Sequence, residues 1–198
     1  ANVLLARVMA LYHDIGKVAN PLCFIENQMG TANIHDDLKP LESAEIIRAH
    51  VTHGVVLARQ HRLPVPIRDA IQQHHGTMTM AYFFHQALQD DPSTDAAIFT
   101  YPGPRPRSRE CALLMLADGC ESAVRANERK NPEIIRDTVD RIIDDRVASG
   151  QLSQCSLTLR DLATVRTSFA EVLNGIYHPR IEYPDPLPSV IGASHVSA

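Results

Sequence analysis

Residues Leu4 to Lys17 read LLARVMALYHDIGK, and the rest of the chain is organised around this stretch. Leu4, Val8, Leu11 and Ile15 recur at the spacing of one helix face, which predicts a helix with one side against a core and His13 and Asp14 leaving its far end together. An ionised Asp beside a His in apolar surroundings is costly to desolvate unless it is paired or holds a metal ion, and imidazole with carboxylate is a donor set that metals take. Alone, the dipeptide is equally satisfied by an exposed helix end. Its weight comes from the partners supplied downstream.

Composition narrows the classes. The 198 residues suffice for one domain with a well-buried core, and 44% hydrophobic with 21% charged residues describes a globular chain. No apolar run approaches the roughly 18 residues of a membrane span, and no signal peptide is present. A net charge of −4 excludes a global basic field for a nucleic-acid duplex, so a phosphate-bearing substrate needs local cations or metals. Cys23, Cys111, Cys120 and Cys155 form no CxxC pair, which points away from a thiolate zinc site or a disulfide framework and toward a reducing compartment. The chain begins at Ala1 directly inside a helical pattern, the expectation for an N-terminally truncated domain spanning 1–183, with a Pro-rich extended or disordered tail at 184–198.

Beyond Lys17, a Pro-, Gly- and Asn-punctuated stretch reads as a long loop with one short turn. Its His35-Asp36 pair lacks an amphipathic frame and reads as an exposed turn rather than a ligand pair. Ser43 is expected to cap a helix to about Gln60 whose buried face is Ile46, Ile47, Val51 and Val55. His50 falls on that face, and His53 three residues on competes with it. A short helix from Pro66 carries Ile67, Ala70 and Ile71 to His74 and His75, where the negative end of the helix dipole favours a cation. Tyr82, Phe83 and Phe84 mark a further helix, and the Pro-rich segment with Arg105, Arg107 and Arg109 reads as a loop or lid with solvated arginines. Ser108 caps a helix with Leu113, Leu116, Cys120 and Val124 buried. Asp118 interrupts its most apolar run, which is poor burial chemistry unless a cation neutralises it. Arg125, two turns later, suits a salt bridge or a phosphate contact equally well. Asn131-Pro132 and Thr158 with Asp161 open two more helices, the last with Leu162, Val165, Phe169, Val172 and Ile176 as its apolar stripe. No strand-like alternation of useful length occurs, so the fold is predicted to be all-α, a helical bundle.

The series His13-Asp14, His50, His74-His75 and Asp118 resembles the HD-domain metal-dependent phosphohydrolases. More narrowly, YHDIGK, FIENQ, the NxHDDL loop, HVxxG, HHGT, YPGP and LADGCESAVR, in this order to about Tyr183, resemble the cytoplasmic HD domain of the seven-transmembrane HD family of cyclic di-AMP phosphodiesterases. The resemblance implies two divalent ions, manganese or iron. Asp14 would bridge them, with His13 and Asp118 on one metal and His50, His74 and His75 on the other. Two ions about 3.5–4 Å apart hold a bridging hydroxide and stabilise the leaving oxygen, so that cyclic di-AMP opens to linear pApA without a Ser or Cys nucleophile. Asp14 and Lys17 are then the catalytic residues, and Lys17 with Arg125 would hold the non-reacting phosphate. The family has a further His upstream of the HD motif, which lies outside this sequence, and Pro where Ile34 stands. The resemblance further implies a cytosolic domain of a bacterial integral membrane protein. A cyclic di-GMP or nucleotide hydrolase of the same superfamily and a catalytically silent nucleotide sensor are the alternatives.

Overall fold

The computed structural model describes residues 1–28 and 33–177, so the expected tail lies outside the described residues. Seven α-helices follow in order among them: α1 (Val3–Tyr12), α2 (Pro40–Gln60), α3 (Val65–Gln73), α4 (Ala81–Asp90), α5 (Arg109–Ala126), α6 (Pro132–Ala148) and α7 (Leu159–Tyr177). The fold is all-α; the described residues hold no β-structure beyond one antiparallel bridge, Thr79 to Thr100.

Local signals account for most boundaries. Asn2 Oδ1 accepts from the Leu5 amide, Ser108 Oγ from Cys111 and Asn131 Oδ1 from Ile134. Thr158 and Asp161 cap α7 reciprocally. Ser43 does not cap α2. Pro40 starts that helix, the Glu42 carboxylate accepts from the Lys39 amide at 2.9 Å, and Ser43 is buried within the first turn. Proline is preorganised for the first helical position, so it sets the start four residues earlier than the hydroxyl suggests.

Three apolar clusters share helices. Leu116, Cys120 and Val124 of α5 pack against Ile135, Val139 and Ile143 of α6 and Leu162, Val165 and Leu173 of α7. The opposite side of α5, through Cys111 and Leu114, joins Met9 of α1, Ala58 of α2 and Ile67, Ala70 and Ile71 of α3. Ala44 and Val51 of α2 pack with Met80, Phe99 and Tyr101. The connection between α4 and α5 therefore contributes core side chains and is not solvated throughout: Arg105 reaches Thr77 and Ser153, and Arg109, the first residue of α5, pairs with Asp161 at 2.7 Å.

The phases of two helices differ from expectation. On α1, Leu4 and Leu11 are 72% and 73% exposed, and Met9, with Leu5 and Val8, faces the core. VLLARVMALY is apolar on nearly every side, so periodicity alone cannot choose its buried stripe. On α7, Leu173 is buried whereas Val172 and Ile176 are 59% and 63% exposed. Leu173 packs into the cluster with α5 and α6, and Arg166 bonds Asp140 and Asp144 of α6 along the same contact. We expect Leu173→Ala to lower stability by about 2–5 kcal/mol and Val172→Ala by under about 0.5 kcal/mol in denaturant unfolding. The reverse order would refute this rotation.

Candidate metal centre

α1 ends at Tyr12, and His13 and Asp14 occupy the turn that follows, leading into a 3-10 segment, Ile15–Ala19. That segment lies directly on α2. A Cβ built on Gly16 would stand 1.8 Å from the His50 carbonyl oxygen, so only glycine permits the approach. It sets Asp14 beside His50, whose Nε2 is 3.3 Å from Asp14 Oδ1. α3 stops one residue short of His74 and delivers His74 and His75 to the same place. Asp118 arrives from the middle of α5, 3.8 Å from His13 Nε2 and 3.9 Å from His75 Nδ1.

Three of the imidazoles are oriented alike. Nδ1 of His13 donates to the Ala10 carbonyl at 2.9 Å, that of His74 to Ile71 at 2.8 Å, and that of His50 to Ile47. A carbonyl only accepts, so each Nδ1 carries the proton and each neutral ring keeps a lone pair on Nε2. Those lone pairs converge. His50 and His74 face each other at 3.2 Å between Nε2 atoms, with Asp14 Oδ1 3.3 and 3.6 Å from them. The buried His13 Nε2 and Asp14 Oδ1 have no hydrogen-bond partner. Lone pairs and a carboxylate aimed at one point repel unless a cation lies between them, and the donor set is nitrogen and oxygen only, so the residues fit a divalent metal. Two groups of donors lie within 4.8 Å of one another: His50, His74 and His75, and His13, Asp14 and His74.

Other side chains fix this set. Lys17 Nζ contacts Asp14 Oδ2 at 2.6 Å, also pairs with Glu26 and lies 4.9 Å over the Phe24 ring. Tyr101 stacks on His75 at 4.3 Å, and Phe24 meets His50 edge-on at 5.6 Å. Gln151, buried between α6 and α7, accepts from the Thr77 amide at 3.0 Å and holds the turn after His75.

A model of the HD domain matches residues 1–123. The chain belongs to the HD domain family. Over 185 residues this HD domain is 44% identical to the cyclic-di-AMP phosphodiesterase PgpH of Bacillus subtilis and 40% identical to PgpH of Listeria monocytogenes, covering 93% of the chain in each case. It spans only 26% of the length of those relatives. The crystal structure of the L. monocytogenes PgpH HD domain in complex with cyclic-di-AMP superposes with a TM-score of 0.86 and 39% identity, over 92% of this chain and 84% of that one.

Six residues singled out in the sequence of this HD domain, His13, Asp14, His50, His74, His75 and Asp118, come together in the structure; His53 is exposed on the far side of α2. His35 donates through Nε2 to the Cys23 carbonyl at 2.8 Å and stays outside both donor groups. Arg125 lies 3.6 Å from Glu121 on the outer part of α5. Tyr101, Glu26 and Gln151 went unnoticed in the sequence. The YPGP and FIENQ motifs carried a signal for the first two, whereas no local pattern marks Gln151.

The cluster polarises its own titrations. Burial opposes charge on His13, but the neighbouring carboxylates of Asp118 and Asp14 outweigh it and push its pKa up to about 10. Asp14, despite burial, is held far below the carboxylate range by His13 and His50. Burial, aided by repulsion from His13 and His50, pushes His74 down to about 4. In the metal-free chain the folded His74 pKa lies below its ordinary 6.5, so the unfolded chain binds that proton first and stability falls as pH drops from about 6.5 toward 4. The raised His13 pKa gives the opposite limb, with stability present below about 6.5 and lost as pH climbs toward 10. We expect the melting temperature in chelator to peak between about pH 6 and 7, and manganese to remove the alkaline decline, because His13 ligates as the free base. A metal-free melting temperature still rising at pH 9 would contradict this.

Proposed function

We propose that this domain is a metal-dependent phosphodiesterase that opens cyclic di-AMP to linear pApA. The convergence of four imidazoles and two carboxylates on one polar cluster carries the reading. Its support for this substrate is the match, over 92% of the chain, to an HD domain crystallised with cyclic-di-AMP. The site residues would be His13, Asp14, His50, His74, His75 and Asp118, holding two manganese or iron ions with Asp14 shared between them. When bound, such ions supply a water nucleophile active near neutral pH and the positive charge that a phosphodiester needs.

The chain's own residues prepare that chemistry. Backbone carbonyls fix Nδ1 of His13, His50 and His74 as the donor and Nε2 as the nitrogen facing the cluster, so the rings need no reorientation on binding and His13 gives up only its Nε2 proton. Lys17 holds the second oxygen of Asp14, fixing the carboxylate that both ions would share. Because Lys17 is spanned between Asp14 and Glu26, its first role is to position Asp14; contact with a substrate phosphate is its second. Arg125 pairs with Glu121 and leaves the phosphate largely to groups nearer the cluster. The ligand nitrogens are neutral, so the ions bring the charge that a chain of net −4 lacks. On this reading the domain is the cytosolic catalytic part of a longer integral membrane protein, supported by its span of 26% of the matched relatives.

The test combines elemental analysis with chromatography of cyclic di-AMP digests. We expect up to two transition ions per chain, both lost in Asp14→Ala together with at least about 100-fold in turnover, since a direct ligand outweighs the roughly 10–100-fold effect of an indirect one. His50→Ala abolishes turnover and His53→Ala leaves most of it. Full metal content without turnover would identify a nucleotide sensor, and faster cleavage of cyclic di-GMP would overturn the base assignment.

A further inference from the structure

Beside the donor cluster lies a cavity of about 210 Å³, lined by His74, His75, Tyr101, Met115, Asp118 and Arg146 among others. Arg146 is the one cation in this lining, and it comes from the last turn of α6, an element not otherwise connected with the cluster. Its side chain is 15% exposed and packs over Gly119, the residue after Asp118; a Cβ at Gly119 would lie 3.3 Å from Arg146 Nη2 and from Ile142 Cγ2. The absence of a side chain at 119 thus leaves room for a guanidinium next to a candidate ligand.

The hydrogen bonding of Arg146 is incomplete. Nη1 meets Asp145 at 2.5 Å, but Asp145 is 56% exposed and engages only that nitrogen. The buried Nε has no partner, and Nη2 has no acceptor among the described residues. Asp118 lines the same cavity, yet no Asp118 oxygen comes within 4.0 Å of the guanidinium among the described residues. A position near the C-terminus of α6 favours a cation and explains why a charge is tolerated there. It supplies no acceptor for the buried Nε, which costs free energy, and Nη2, which keeps access to solvent, is free to take one. A planar fork of donors bordering a cavity matches the non-bridging oxygens of a phosphate, which accept two parallel bonds.

We propose that Arg146 is a substrate-binding residue that clamps a phosphate of the cyclic dinucleotide in the cavity that Tyr101 and His75 also line. The assignment rests on the phosphodiesterase reading above and adds to it a contact from α6. A residue that binds a phosphate equally in the ground and transition states lowers KM and leaves kcat nearly alone, so its loss raises KM.

Residues 1–198 loaded with manganese provide the test. Arg146→Met should raise KM for cyclic di-AMP about 10- to 100-fold, the range of a charge-assisted hydrogen bond, with kcat within about threefold. Arg146→Lys should recover part of the loss, since it keeps the charge without the fork. Manganese content should equal that of the unsubstituted chain in both variants, and calorimetric affinity for inorganic phosphate should fall in Arg146→Met. An unchanged KM and phosphate affinity, or a loss that tracks loss of manganese, would overturn the proposal. If the unsubstituted chain fails to cleave cyclic di-AMP, the activity reading falls, and the phosphate affinities of the two forms still decide the role of Arg146.

Discussion

Everything at this site depends on where three Nδ1 protons go. His13, His50 and His74 each give theirs to the carbonyl three residues earlier, within the helical turn that carries the ring. The bond takes nothing from the rest of the molecule. It leaves each ring with Nε2 aimed along the direction set by its own helix, so that arranging the donors becomes a matter of arranging helices. The turn after α1, the middle of α2 and the end of α3 meet there, and α5 adds Asp118. Acceptors pressed together this way destabilise the folded chain unless a cation joins them, and in return they require no rearrangement when one does.

α5 is the element that makes this arrangement affordable. It contributes to two apolar clusters on opposite sides, one with α6 and α7 and one with α1, α2 and α3, and carries Asp118 between them. The α6–α7 pair lies away from the imidazoles, yet it reaches the centre through Gln151, which braces the turn after His75, and through Arg146, which borders the adjoining cavity. The α6–α7 pair thus borders the site through two polar side chains and adds no member to the donor cluster among the described residues.

How much of this was legible in the sequence follows from the kind of signal each feature leaves. An acidic or imidazole group in an apolar helical run contradicts its surroundings, and His50, His74, His75 and Asp118 were visible for that reason. His35-Asp36 lacked such a frame, and the structure indeed keeps His35 on the Cys23 carbonyl. Helix phase was less readable. Where α1 is apolar on nearly every side, and where α7 packs against α5 and α6, the choice of stripe is made by partners that no local window contains. The Pro-rich connection has the composition of a solvated loop, although Phe99 and Tyr101 within it are buried. Gln151 and Arg146 act 74 and 27 residues away from Thr77 and Gly119 in the chain, beyond the reach of any spacing rule.

The contact of Gly16 with α2 has a consequence for how this site tolerates change. The spacing between the turn that carries His13 and Asp14 and the helix that carries His50 is set by one main chain resting on another, with no side chain acting as a deformable spacer. Substitutions in the surrounding apolar clusters therefore draw down the reserve of stability long before they alter the distance between ligands. Sequences of this kind can drift widely in their cores while the cluster keeps its dimensions, whereas a single added methyl at position 16 acts on geometry directly.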